Sequence, residues 1–515
     1  MSELNKTTGI SRRELLKAAG GVTFLALIAT SEGMFAPVFA SRKTTATPAL
    51  PLFTALPYLQ PGTSSGKLVA GKEGIVIAWQ TNSVKADFTL EYGSGVAYDQ
   101  KSEITHSSRM SENKEIDNRI NYVASLSGME LNQKYQYRVK MNGEILMEGF
   151  FTTRKPRGVK SRFVAFGDNS YGDISDRAIA YQTYRARPDF VMNTGDNVYE
   201  DGLDNEYARY FFPVYNAEQT GQRTGAPILR SVLFYSVIAN HDVHSKDANK
   251  NPVADFSAHP DSLAYFTNFH FPSNGFTPAH QTPAVGNEAN IKAFVNCAGS
   301  PFPNMANYSF DYADAHFLCL DSNLYVDPTD SALQAWIEQD LKNTDATWKF
   351  VVYHHPAFNV GNDHFSEQHM RALTPIFEKH AVDVLLHGHE HTYQRTRPIK
   401  FAPSDVSAAK NLNSKKRLVP GTFTIDRNFD GIKNTKPEGI IYLTTGAGGK
   451  HLYDAESNNN PESWLHDEDN KADYVAKFIS DRHSLTVFEM DSRSLQFTQI
   501  DEWGGEIDKI KITKS

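Results

Sequence analysis

Cysteine is nearly absent from this chain, with Cys297 and Cys319 the only two in 515 residues. An oxidising compartment permits a bridge between them. Cys319 lies inside an apolar, strand-like run, so a small buried hydrophobe is an equal reading. An excess of positive charge is also lacking. The formal net charge of −8 argues against nucleic acid as a structural partner, because phosphate backbones demand a basic footprint. Beyond the N-terminus no stretch is apolar enough for a mature membrane span, and there is no internal repeat. With 40% hydrophobic and 22% charged residues the chain is not a disordered one. Its length allows two or three packed domains.

The first residues carry an address. Ser11-Arg12-Arg13-Glu14-Leu15-Leu16-Lys17 resembles a twin-arginine export signal. The apolar run Val22 to Ala29 that follows is too short to span a bilayer. Val38-Phe39-Ala40 offers a signal peptidase site, so residues 1–40 are expected to be removed after Ala40. The alternative is an uncleaved membrane anchor. The signal implies the twin-arginine machinery as a partner and a periplasmic or secreted bacterial protein.

Residues 41–51, rich in Thr, Ala and Pro, read as a linker. From 52 to 154 short alternating runs are separated by Gly, Asn and Ser, which predicts a small all-β sandwich. Examples are Gly74 to Thr81, Phe88 to Gly93 and Tyr135 to Val139. The texture changes at Lys155-Pro156-Arg157-Gly158. From 158 to 515 continuous apolar runs predict strands buried on both faces. They are Arg162–Phe166, Asp189–Asn193, Leu233–Ile238, His316–Leu320, Trp348–Tyr353 and Asp383–Leu386. Helical patterns at Ala332–Leu341 and Glu367–His380 lie between them, giving an α/β layered class. The segment Val243–Asn307, rich in Pro, Asn and His, predicts loops. Ser484–Thr513 predicts a last β element.

Five of these strand ends carry potential metal ligands: Gly167-Asp168, Gly195-Asp196-Asn197-Val198-Tyr199, Asn240-His241-Asp242, His354-His355-Pro356 and Gly388-His389-Glu390-His391. Ligands of open α/β sheets bind beyond the carboxyl ends of strands, so groups remote in sequence are expected to converge. Singly each motif is weak, because an Asp after a strand commonly caps a turn and a lone His is commonly structural. Five in order are not a chance pattern.

These residues resemble the purple acid phosphatases, within the calcineurin-like metallophosphoesterases, over most of the mature chain. Pro57-Tyr58-Leu59-Gln60-Pro61 likens the N-terminal sandwich to the fibronectin III-type domain of the larger members. The resemblance implies a layered β-sandwich catalytic domain flanked by helices and two metal ions. Fe(III) would sit at Asp168, Tyr199 and His391, and Fe(II), Zn(II) or Mn(II) at Asn240, His354 and His389. Asp196 would bridge them. Ser170 stands where the wider group carries a ligating His, and Tyr199 follows the second Asp by three residues, which is the purple acid phosphatase pattern. A phenolate is a hard anionic ligand suited to trivalent iron. Two departures touch the loop shape only: no Gly follows Gly167-Asp168-Asn169, and Ala239 replaces a Gly.

The implied chemistry is cleavage of a small phosphate monoester by a cation-activated hydroxide. His241 would protonate the leaving group, with Asp242 orienting it. The resemblance makes His364 a second substrate contact, and His355 is not expected to be a ligand. Rival readings are a phosphodiesterase or nucleotidase on the same metals, redox chemistry at iron, and a surface-binding protein with an inert catalytic domain. Asp426-Arg427-Asn428-Phe429-Asp430-Gly431 imitates half a calcium loop, but Pro437 stands where the closing Glu belongs, so a polar turn is the better reading.

Overall fold

The computed structural model describes residues 53–62, 66, 71–109, 118–243, 261–276, 288–361, 363–412, 414–453, 458, 460 and 473–514. The expected export signal with Arg12 and Arg13, the cleavage point after Ala40 and the linker 41–51 lie outside the described residues. Among the described residues no helix is long and apolar enough to cross a membrane.

Eight strands between Phe53 and Thr152 form two four-stranded antiparallel sheets. Alternation drives them: in Lys134–Met141 every second residue, Tyr135, Tyr137, Val139 and Met141, is buried. Trp79 anchors their core, stacked on Tyr122 at 5.5 Å and met edge-on by Phe88 at 5.4 Å. This region joins the rest of the chain through buried polar contacts. Arg154 reaches Glu73 through two hydrogen bonds of 2.5 and 2.7 Å, and Arg119 donates to Asp204 at 2.7 Å.

Two larger mixed sheets follow. The six-stranded one runs Leu233–Ser236, Phe190–Asn193, Ser161–Phe166, Ser484–Met490, Ser494–Asp501, Glu506–Thr513. Its first three strands are parallel and the C-terminal ones antiparallel. The seven-stranded one runs Tyr308–Tyr312, Ala315–Cys319, Trp348–Val352, Val384–His387, Ile441–Thr445, Tyr393–Thr396, Val475–Ile479. Four of its inner strands are parallel. Five of the seven parallel strands are buried throughout, as continuous apolar runs require, and in the other two only Arg162 and Lys349 are partly exposed. Between the sheets Phe163 meets Phe317 and Phe350 edge-on at 5.2 and 5.4 Å, and Phe190 meets Phe317 at 5.4 Å. Helices Ile174–Ala186 and Ser331–Asn343 pack against the six- and seven-stranded sheets respectively.

Two sequence expectations are corrected. The helix expected over 367–380 is a 3-10 turn, His369–Leu373, followed by a short helix Thr374–Lys379. Pro375 has no N–H to continue an α-helix and is tolerated only in a first turn, so the chain restarts there and Glu367 is left in a loop. Within the segment expected to be irregular, Glu288–Ala298 is an α-helix. Phe294 and Ala298, four apart, share its buried face. Cys297 and Cys319 do not form a disulfide with each other, and Cys319 is buried. Asp426 and Asp430 turn their carboxylates onto backbone N–H groups of their own loop, a polar turn as expected.

Candidate metal centre

Each motif sits where a parallel strand stops. Ser161–Phe166 delivers Asp168, Phe190–Asn193 delivers Asp196 and Tyr199, and Leu233–Ser236 delivers Asn240 and His241. The other sheet delivers His354 after Trp348–Val352, and His389 and His391 after Val384–His387. The turns are tight. Asp168, Asp196 and His389 adopt φ of 59°, 51° and 68°, in the left-handed region that costs an L-residue about 1 kcal/mol or more. Ser170 does the same at 61°, so the conformation a glycine would supply is kept without one. A Cβ on Gly195 would lie 2.6 Å from the Ala239 methyl and 2.8 Å from His354 Nδ1. The alanine at 239 is accommodated because residue 195 has no side chain.

The groups converge. The Tyr199 hydroxyl lies 3.2 Å from Asp168 Oδ1, 3.1 Å from Asp196 Oδ2 and 3.2 Å from His391 Nε2. His354 Nε2 lies 3.3 Å from Asp196 Oδ2. Asp196, His354 and His389 each present a ligand atom within 4.8 Å of the others. All are buried, with Asp168 at 0% and Asp196 at 1% exposure. Among the described residues neither carboxylate pairs with a lysine or arginine.

Hydrogen bonds fix which ring nitrogen is free. His354 Nδ1 faces Thr194 O at 2.9 Å and His391 Nδ1 faces His451 O at 2.7 Å. A carbonyl only accepts, so both Nδ1 atoms carry the proton and both Nε2 atoms hold lone pairs. The His391 lone pair faces the Tyr199 hydroxyl, and the His354 lone pair faces a carboxylate oxygen, which needs a proton or a metal cation between. Without a metal a proton takes that place: His354 is pushed up to about 9, because Asp196 and Asp168 outweigh the opposing effect of burial. Burial would raise Asp196, but His354 and His241 hold it low, whereas burial pushes Asp168 up. Burial and both carboxylates raise Tyr199, so a cation binding there must displace the phenol proton. Asn240 Oδ1 is buried without a hydrogen-bond partner, as a ligand oxygen would be. The donor set therefore fits metal ions.

His241 lies at the edge, half-buried, its ring 4.5 Å from that of Tyr199. Its Nδ1–H donates to Glu200 O at 2.7 Å. Asp242 does not orient it, contrary to expectation. The Asp242 carboxylate accepts from Ala239 N, from Asn197 N and Nδ2, and from Tyr207 Oη, which makes it a buried brace for two loops. Sequence neighbours in a tight turn point apart.

His364 comes to the site, its ring 3.7 Å from that of His389, with Nδ1 3.1 Å from Glu367 Oε1. Glu367, missed in the sequence, also faces His389 Nε2 at 3.3 Å and His355 Nε2 at 3.7 Å. The trio His355, Glu367 and His389 has the look of a further cation site, but protons argue otherwise. Ser322 Oγ accepts from the N–H groups of His354 and His355 at 3.1 and 3.0 Å. Its own O–H must then donate to His355 Nδ1 at 2.9 Å, which leaves the proton of the neutral ring on Nε2, facing the carboxylate. Burial holds His355 neutral.

Other neighbours were also missed. Tyr453 stacks on His391 at 4.0 Å, and Lys450 lies over Tyr199. Lys450 follows the apolar run Ile441–Thr445, so the rule applied to the other strand ends would have found it.

Residues 161–393 match the calcineurin-like phosphoesterase family. Purple acid phosphatase 17 of Arabidopsis thaliana is 28% identical over 279 residues, 52% of this chain and 73% of that protein. Purple acid phosphatase 7 of the same plant is 26% identical over 242 residues, 45% of this chain and 64% of that protein, just under two thirds of its length. In fold the chain is similar to a purple acid phosphatase from yellow lupin (Lupinus luteus) seeds, with a TM-score of 0.58 and 16% identity over 89% of this chain and 74% of that one. It is also similar to PhoD, with a TM-score of 0.52 and 12% identity over 91% and 92%.

Proposed function

Because this chain is a purple acid phosphatase-like metallophosphoesterase, a phosphoric ester hydrolase whose family implies two metal ions, we propose that it cleaves phosphate monoesters at a dinuclear centre. Asp168, Tyr199 and His391 would hold one ion, preferentially trivalent iron. Asn240, His354 and His389 would hold a divalent one, with Asp196 shared. One observation carries the proposal: two buried carboxylates, without a lysine or arginine partner among the described residues, face histidine nitrogens whose orientation backbone carbonyls have fixed.

Bound cations would neutralise the phosphate oxygens and acidify a water to serve as nucleophile. The chain's own part is orientation and proton transfer. Tight left-handed turns and carbonyl-held imidazoles hold the donor atoms in place before substrate arrives. His241, anchored through Nδ1 to Glu200 O, keeps Nε2 to deliver a proton to the departing alkoxide. His364, held by Glu367, contacts the ester from the side of His389. The rival diesterase or nucleotidase would use the same centre, and product analysis separates them.

Metal analysis with a visible spectrum tests the proposal. The protein as isolated should contain two metal ions per chain, at least one of them iron, and should be coloured by phenolate-to-iron charge transfer. Tyr199→Phe should bleach it while keeping much of the hydrolysis, since the phenolate mainly tunes the iron. A colourless protein with bound iron, or a variant of unchanged colour, would refute Tyr199 as a ligand.

A further inference from the structure

Lys450 is a lysine in an unusual place. Its backbone N–H donates to Asp168 O at 2.9 Å. Its side chain is only 6% exposed. The ammonium nitrogen lies 3.5 Å from the centre of the Tyr171 ring and 4.3 Å from the centre of the Tyr199 ring. Its ion-pair partner is Glu200, which is 42% exposed. Burying an ammonium costs several kcal/mol unless the surroundings compensate. Here two ring faces and one carboxylate compensate, since the negative face of an aromatic ring attracts a cation.

An anchor for substrate phosphate would need its ammonium open to solvent and clear of a carboxylate, and Lys450 meets neither condition. What it does face is the ring whose hydroxyl sits within 3.2 Å of Asp168, Asp196 and His391. We infer that Lys450 is a positioning residue whose charge, set over the Tyr199 ring, tunes the electron donation of that phenolate to the metal. This rests on the reading of Tyr199 as a ligand. A positive charge over the ring lowers the energy of the ring's filled orbitals. It would act less on a metal held by the phenol oxygen than on the ring itself. The charge-transfer band therefore moves to shorter wavelength and the metal's reduction potential rises.

The test uses the full-length, iron-loaded protein, with metal content, visible spectrum and reduction potential measured on each variant. Lys450→Met should move the band to longer wavelength and lower the potential. Lys450→Arg, which keeps the charge, should stay close to the wild type. Glu200→Gln removes the compensating anion from a half-exposed position and should move the band the opposite way, to shorter wavelength. It carries the test alone if Lys450→Met does not fold. A band and potential that stay at wild-type values in every variant that folds and retains iron would overturn the inference and leave Tyr199 standing. A colourless wild type with bound iron would overturn both.

Discussion

Glu73 and Asp196 are equally buried, at 2% and 1% exposure, yet their surroundings differ in kind. Glu73, in the N-terminal sheets, is clamped by the guanidinium of Arg154. Asp204, beside the same region, is likewise matched by Arg119. Among the described residues, Asp168 and Asp196, between the two larger sheets, meet imidazoles, a phenol and backbone N–H groups but no lysine or arginine. A carboxylate with a guanidinium is complete, and removing its partner costs stability. A carboxylate pair facing imidazoles is incomplete until a proton on His354 or a metal cation takes the place between them. Burial alone does not separate structure from function; the charge of the neighbours does.

Four changes would break or sharpen that contrast. The largest effect is expected from Asp196→Asn, which removes the charge that the two proposed ions would share. Metal content should fall, and activity should fall with it by roughly three orders of magnitude or more, several kcal/mol of transition-state stabilisation. Full occupancy of both ions with unchanged turnover would show that another group bridges. Next, His241→Ala should leave both ions bound and slow esters of poor leaving groups by about 10²–10⁴-fold, sparing very good ones. An equal loss across a leaving-group series would assign His241 to binding, or the acid role to His364.

Arg154→Leu is the counterpart in the structural region. It leaves Glu73 buried and unpaired, so denaturant titration should show a loss of about 3–5 kcal/mol, while metal content and turnover per folded molecule hold. Lost metal with intact stability would reverse the two roles. The smallest effect concerns His316, whose two nitrogens meet Asp311 and Asp340 at 2.7 and 2.8 Å. Burial opposes the charge, but these carboxylates push it up to about 9. A raised folded value means the pair stabilises fully below the unfolded value near 6.5. That stability is lost as pH rises through about 9. Thermal melts of wild type and His316→Gln should therefore converge above that pH. Curves that stay parallel from pH 6 to pH 10 would show that His316 carries no charge.

The ligand motifs were legible because each follows an apolar run long enough to be a buried strand, and parallel strands end on one side. The five motifs could be read that way without knowing the sheet order, whereas the choice of Asp168, Asp196, Tyr199, Asn240, His354, His389 and His391 as proposed ligands rests on the family resemblance. Side-chain direction within a turn could not. Asp242 stands beside His241 in sequence but serves Asn197 and Ala239. Glu200 took its expected place with a backbone carbonyl, which no side-chain pattern reveals. Glu367 was hidden by a helical pattern that Pro375 interrupts. Lys450 was legible and overlooked, since a lysine at a strand end does not look like part of a cation site until a tyrosine ring is known to lie beneath it.

The origin of the proposed ligands in two sheets has a mechanical consequence. Asp168, Asp196, Tyr199 and Asn240 hang from one layer, and His354, His389 and His391 from the other. Between the layers, edge-on ring contacts such as Phe163 on Phe350 resist separation, and hydrogen bonds such as Gly167 N–H to Thr445 O at 3.0 Å tie the layers beside the site. Metal ions held from both sides as proposed would add a rivet at that end of the stack, turning shear between the layers into stretching of bonds. Metal removal should then loosen the relative motion of the two layers before it unfolds either one.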